Sequence, residues 1–163
     1  MERDTFDSLM TRMDTAMIVV TASDGHERAG CMVGFHTQAS IEPRHYAIWV
    51  SKANHTYGVA ARSRHLAVHL LAEHDHGLAE HFGGLTGDTV DKFAGVEWEP
   101  GPDGVPLLAA CPNRFVLRVI AQHDDGGDHV CVIAEPIDAS ATADFTPLRF
   151  HSVEHVDPGH DAG

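Results

Sequence analysis

The chain has 163 residues, 43% hydrophobic and 21% charged, which suits one domain with its own core and is short for a two-domain enzyme. Eleven Lys and Arg stand against 24 Asp and Glu, a formal charge of −13 with histidine neutral, and that field argues against nucleic acid as a partner. Fourteen histidines reduce the negative charge on mild acidification.

Cys31, Cys111 and Cys131 are odd in number, far apart and without a Cys-x-x-Cys pair. Free thiols in a reducing compartment fit better than a disulfide frame or a zinc knuckle. The opening MERDTFDSLMTRMD mixes charges of both signs and lacks the apolar run of a secretory leader. No later stretch nears ~20 uninterrupted apolar residues. The expectation is a soluble, cytoplasmic protein that crosses no membrane.

In chain order, Phe6, Leu9, Met10 and Met13 have the spacing of a short amphipathic helix over 5–13. Residues 15–22 (TAMIVVTA) predict a buried strand, turned at Ser23-Asp24-Gly25 into a second strand from about Arg28. Residues 45–51 (HYAIWVS) predict a further strand, followed by a turn and a helix over 56–64. Leu66, Val68 and Leu70 alternate with His65, Ala67 and His69, the period of a strand covered on one face. Residues 73–82 read as helix. Residues 83–112 are rich in Gly and Pro, with a short helix near 88–93. Strands over 114–122 and 129–135 are joined by Asp124-Asp125-Gly126-Gly127, a hairpin turn. A last strand is expected over 147–152 and a disordered tail over 157–163. Six or seven strands with two or three short helices do not make βαβ alternation. The reading is a mainly β fold, a small antiparallel split barrel of Greek-key type with a few short flanking helices, in one domain over 1–156.

Four segments carry candidate chemistry. GCMVGFHTQASIEP (30–43) spends small and polar residues where a strand would pack better without them; it reads either as a bulged edge strand or as backbone reserved for a flat ligand. SKANHT (51–56) offers Lys52 as a cation and Ser51, Asn54 and Thr56 as donors beside a helix start, fit for a phosphate; equally, Asn54 or Thr56 caps the helix. His129 begins a strand, where it either reaches a ligand at the barrel rim or is a solvated side chain. His74, His76 and His81 lie on one predicted helix, but no His-Glu-x-x-His is present and no metal site is assigned. Gly-x-Ser-x-Gly, the P-loop and the dinucleotide-binding fingerprint in its strand-to-helix context are missing.

Taken in order, MIVVTASDG, GCMVGFHTQASIEP, SKANHT, HLAVHLLAE, HGLAEHF, DKFAG, Trp98, VPLL, the Asp-His of GGDHVCVIAEP, and PLRFH resemble the flavin reductase family with the FMN-binding split-barrel fold, over roughly residues 10–152. The resemblance implies that Met32, Val33, Gly34, Thr37, Gln38, Ala39 and Ser40 line the isoalloxazine and ribityl region. It likewise implies that Lys52, Asn54 and Thr56 hold the phosphate, and that His129 lies near the ring where nicotinamide stacks. It implies FMN as cofactor, with FAD possible and a deazaflavin or haem open to a related barrel. NADH or NADPH would be the electron donor, the assembly a homodimer, and a flavin-dependent oxygenase a candidate partner. Met32, Gly34 and Gln38 depart from the Thr or Ser, Ser or Asn, and Ser common in that family, and Pro43-Arg44 replaces its usual Pro-Pro. The competing reading is a split-barrel protein that carries or senses flavin or haem without turnover.

Overall fold

The computed structural model describes residues 2–85, 87, 90–142 and 144–156. The helices are α1 (Arg3–Met13), α2 (His55–Ala61) and α3 (His76–Gly84). The strands are β1 (Ile18–Ser23), β2 (Arg28–Val33), β3 (His36–Ser40), β4 (His45–Ser51), β5 (His65–Leu70), β6 (Trp98–Pro100), β7 (Pro106–Leu108), β8 (Arg114–His123) and β9 (His129–Ser140). Seven strands form one antiparallel sheet in the order β2-β1-β5-β8-β9-β4-β3, and β6 pairs with β7 as a small separate hairpin.

Strands β2 and β3 are consecutive in the chain yet occupy opposite edges of this sheet, joined only by Gly34 and Phe35. Three Cα steps reach about 11 Å, whereas seven strands laid flat would span about 29 Å from edge to edge. The sheet therefore has to curl until its edges meet, and it does so as a half-barrel. Beside this seam, Trp49 N–H donates to Phe35 O at 2.9 Å and extends the β3–β4 ladder by one pair.

Burial explains the sequence pattern of β1, whose six residues are all covered. Ile18, Val20 and Ala22 enter an inner cluster with Val33, Ile48, Leu66 and Leu117. Val19 faces the other way, into an outer cluster with Leu71, Phe82, Leu108 and Leu148. A strand packed on both faces reads as an unbroken apolar run.

The alternation in β5 is misleading for the same reason, because Ala67 and His69 are as buried as Leu66 and Val68. The β6–β7 hairpin, which arises inside the stretch expected to be loop, covers that second face. His69 Nδ1–H donates to Val19 O at 3.1 Å, and Nε2 accepts the Leu108 N–H at 3.0 Å. Thr21 Oγ1 donates to Pro106 O at 2.6 Å. Two buried polar side chains thus hold the hairpin against the sheet.

Lys92, 4% exposed, fastens the other end of the outer layer. Its ammonium donates to Gly30 O and Phe82 O, both at 2.9 Å, so β2 and α3 share one cation. Gly30 is required there, since a Cβ would lie 3.0 Å from the Phe82 ring. His81 on α3 is also engaged, its Nε2 bonding Lys92 O at 2.5 Å.

Three expectations change. Residues 147–152 make single bridges, Pro147 to Ala72 and Arg149 to Ala16, followed by a 3-10 turn over Phe150–Ser152; Pro147 has no N–H with which to extend a ladder. Strand β9 continues to Ser140, with Pro136 opposite Leu117 at a shift in register. In the expected helix near 88–93, Asp88 and Thr89 lie outside the described residues, and 92–95 form a turn. The expected tail at 157–163 also lies outside the described residues.

Burial drives the His69 pKa down from 6.5 to about 4, the Val19 carbonyl opposing that shift and the Arg114 charge adding to it. The unfolded chain binds the extra proton first, so the stabilisation by neutral His69 is complete above pH 6.5 and is lost as pH falls through 4. Urea unfolding across this window should show a loss on the order of 3 kcal/mol from this group. His69→Gln should lack that component, and identical pH profiles for the two proteins would contradict the assignment.

Candidate functional site

The residues singled out from the sequence gather around β4, which is paired with β3 on one side and β9 on the other. Along β4 the register sets Gln38 opposite Tyr46, Thr37 opposite Ala47 and His36 opposite Ile48, while on the far side His129 lies opposite Ser51. The last residue of β4 leads directly into Lys52, so β4 carries a strip with Thr37, Gln38 and Ser40 alongside its first half and His129 and Lys52 at its far end.

Strand β3 pairs with β4 alone, which leaves its outer backbone edge without a strand partner. Thr37, Gln38 and Ala39 are exposed and Ser40 is half-buried. The hydrogen bonds of these side chains are local, from Thr37 Oγ1 to Gln38 O and from Gln38 Nε2 to Ser40 O, each at 3.2 Å. His36 anchors the strand: Nε2 donates to Ala16 O at 2.6 Å, and Nδ1 accepts from Tyr46 Oη at 2.5 Å. Burial lowers the His36 pKa and raises that of Tyr46 to about 12, so both stay neutral and hold the edge in place.

Met32, Val33 and Gly34, upstream of that strand, behave differently. Met32 lies against α3, where a Cβ on Gly83 would come within 2.7 Å of its methyl group. Val33 is in the inner core. Gly34 leaves room at the bend, where a Cβ would first meet the Met17 thioether, at 3.4 Å. Met32 and Val33 can meet a ligand through backbone more readily than through side chains that are already packed.

At the other end of the strip, Lys52 Nζ pairs with Asp124 Oδ1 at 2.8 Å, and Lys52 N–H donates to Asp128 O at 2.9 Å. The Asp124 hydrogen bond raises the Lys52 pKa, and Lys52 in turn lowers that of Asp124. Asn54 caps α2, its Oδ1 accepting the Thr56 N–H at 2.9 Å. Thr56 is buried and turned into the protein beside the Cys31 thiol. The helix-cap alternative therefore describes Asn54, and Lys52 is the cation of the segment.

His129 Nδ1 bonds Asp128 Oδ1 at 2.7 Å, a contact that holds the Asp128 pKa low. Its ring lies 5.0 Å from that of Phe35, which is 61% exposed. Phe35 and Asp124 were missed in the sequence. Phe35 read as part of a small-residue strand, and Asp124 as one member of a turn; an aromatic immediately after a glycine bend was the available signal.

A separate cleft of about 370 Å³ opens between the start of β2 and the start of α2, lined by Arg28, Gly30, His55, Thr56, Lys92 and Phe93 among others. Of the candidate residues, Thr56 alone is among those lining it.

A flavin needs donors and acceptors along the ring's polar edge, an apolar surface for its face and a cation for its phosphate. The open edge of β3 with Thr37, Gln38 and Ser40, the Phe35 and His129 rings, and Lys52 supply those three requirements on one strip. The chemistry of these groups fits the group that the resemblance implies.

Comparison with known proteins agrees with the architecture. Residues 10–156 match the family description of the flavin reductase like domain. The reductase subunit Stc3 of stachydrine N-demethylase from Rhizobium meliloti is 31% identical over 144 residues, 82% of this chain and 59% of that protein. The chain thus spans less than two thirds of that relative. The FMN reductase (NADH) SmoA of Agrobacterium fabrum is 28% identical, over 89% of this chain and 80% of its own length. Among solved structures, the NADH:FAD oxidoreductase SgcE6 of Streptomyces globisporus superimposes with a TM-score of 0.74 at 26% identity, covering 86% of this chain and 84% of that one. From the match along nearly its whole length and the split-barrel topology, the chain belongs to the flavin reductase-like family.

Proposed function

We propose that the protein is an NAD(P)H-dependent flavin reductase that binds FMN along the β3–β4–His129 strip. The observation that carries this reading is the placement along β4 of an open strand edge beside its first half and, at its far end, an aromatic ring pair and a lysine. Relatives named as an FMN reductase (NADH) and an NAD(P)H ferric-chelate reductase support it. When bound, FMN supplies the chemistry, accepting two electrons and a proton from the nicotinamide and delivering them to an acceptor.

The chain's own residues bind and orient. The outer backbone edge of β3, with the side chains of Thr37, Gln38 and Ser40, reads the polar edge of the ring system, and Gly34 and Ala39 keep the approach clear of bulk. Met32 and Val33 contribute backbone. Lys52 meets the phosphate as a charge-assisted donor, while Asn54 and Thr56 shape the turn that presents it. His129, oriented by Asp128, would position the nicotinamide over the ring for hydride transfer.

Phe35 and Ile41 beside the strip, and Phe6, Leu9, Met10 and Met13 along α1, are exposed apolar side chains. A second copy covering this surface would bury them, which supports a homodimer. The relatives include reductase subunits of a demethylase and of a flavin-dependent monooxygenase, which supports a partner oxygenase as recipient of the reduced flavin. Among the described residues no helix is long and apolar enough to cross a membrane. Free thiols at Cys31, Cys111 and Cys131 support the cytoplasm as its compartment.

Purified protein given FMN should quench flavin fluorescence and oxidise NADH or NADPH. A stable flavin spectrum without nicotinamide oxidation would favour a carrier instead, and absence of both binding and oxidation would remove flavin altogether. Lys52→Ala should weaken FMN about tenfold and leave riboflavin unchanged, since one charge-assisted contact is lost; equal losses would place Lys52 in folding. His129→Ala should lower turnover at saturating FMN more than it lowers FMN affinity, and loss of FMN binding would contradict its role. Sedimentation should give a particle of twice the 17.6 kDa chain, and a monomer at assay concentration would refute the dimer.

A further inference from the structure

We propose that Asp124 is a built-in counter-ion competing with the flavin phosphate for Lys52, so that the phosphate gains less from this lysine than an unpaired cation would give it. The inference rests on the flavin reading of the strip and concerns how tightly that site holds its ligand.

The Lys52–Asp124 contact is built into a hydrogen-bonded turn. Asp124 Oδ1 accepts both Lys52 Nζ at 2.8 Å and the Gly126 N–H at 2.9 Å, so the hairpin turn itself aims the carboxylate. The same hairpin is tied to the lysine's backbone, Lys52 N–H donating to Asp128 O at 2.9 Å. Asp125 is turned back on the hairpin by the Gly127 N–H at 2.9 Å, and Asp128 is bonded to His129. Three carboxylates therefore stand around one ammonium.

The loop offers few other donors to an anion. Thr56 N–H goes to Asn54 Oδ1, Ala53 N–H to Ser51 Oγ, Asn54 N–H to Ser51 O and Tyr57 N–H to Asn54 O. An incoming phosphate has to draw its charge contact from Lys52 and displace Asp124 in doing so. On departure, the carboxylate recaptures the lysine. The pair thus offsets part of what the phosphate contributes to FMN affinity.

The test is equilibrium binding of FMN and riboflavin, followed by flavin fluorescence, to the wild-type protein, Asp124→Asn and Asp138→Asn. Asn keeps the acceptor for Gly126 N–H while removing the charge, so the turn is preserved. Asp138, exposed at the end of β9, removes the same charge away from Lys52 as a control. Asp124→Asn should bind FMN roughly two- to fivefold more tightly, the scale of relieving one exposed ion pair, with riboflavin unchanged. Asp138→Asn should change neither. If both flavins bind but Asp124→Asn leaves FMN unchanged or weaker relative to riboflavin, or if Asp138→Asn tightens FMN equally, the counter-ion role is overturned and the flavin site stands. If neither flavin binds the wild-type protein, the flavin reading and this inference fall together.

Discussion

Two residues, Gly34 and Phe35, connect the opposite edges of a seven-stranded sheet, and the geometry of the molecule follows from that short link. A flat sheet cannot satisfy it, since the edges would stand about 29 Å apart and the link reaches about 11 Å. Curling brings β2 and β4 together, creates the inner core and leaves a seam. The strip of candidate residues lies along that seam because the chain is obliged to turn there, with Phe35 exposed at the bend and β3 left with one unpaired edge.

A curled sheet has an outside as well as an inside, and here both are packed. Inner and outer clusters share β1, whose alternate side chains serve one and then the other. The outer layer is the less regular of the two, built from α3, the β6–β7 hairpin and the segment around Leu148. It has few ladder hydrogen bonds to the sheet, and buried polar side chains take their place: His69 holds the hairpin, and Lys92 binds β2 to α3. Such groups specify one arrangement because a buried donor or acceptor left unpaired is expensive, whereas apolar contacts alone would tolerate sliding.

Electrostatics separate the site from the rest of the surface. A chain with net charge −13 is an unpromising host for an anionic ligand, and local groups decide the outcome. Lys52 supplies the cation, but Asp124, Asp125 and Asp128 on the adjoining hairpin offset it. His36 and Tyr46 are kept neutral by burial, which fixes β3 without adding charge beneath a ligand.

Much of the strand order in the chain was legible in the residues themselves. The β1–β2 and β8–β9 hairpins carry Gly and Asp turns between β-branched runs, and those signals are local. The order of segments from GCMVGFHTQASIEP to PLRFH was enough to indicate the family. Contacts between distant residues were not legible. His69 alternates with leucines as an outward-facing residue would, and only the hairpin some 40 residues later buries it. Thr56 has the spacing of a phosphate ligand, yet it is directed at Cys31 by the packing of α2 under β2. Lys52 is a cation in the sequence, and its partner Asp124 is 72 residues away. The sequence by itself determined which segments become strands and which residue types are available to the site, because turn chemistry and periodicity act over a few residues. Only the tertiary structure decided which faces are covered and which charges are already paired, because those depend on neighbours that the chain brings together from opposite ends of its length.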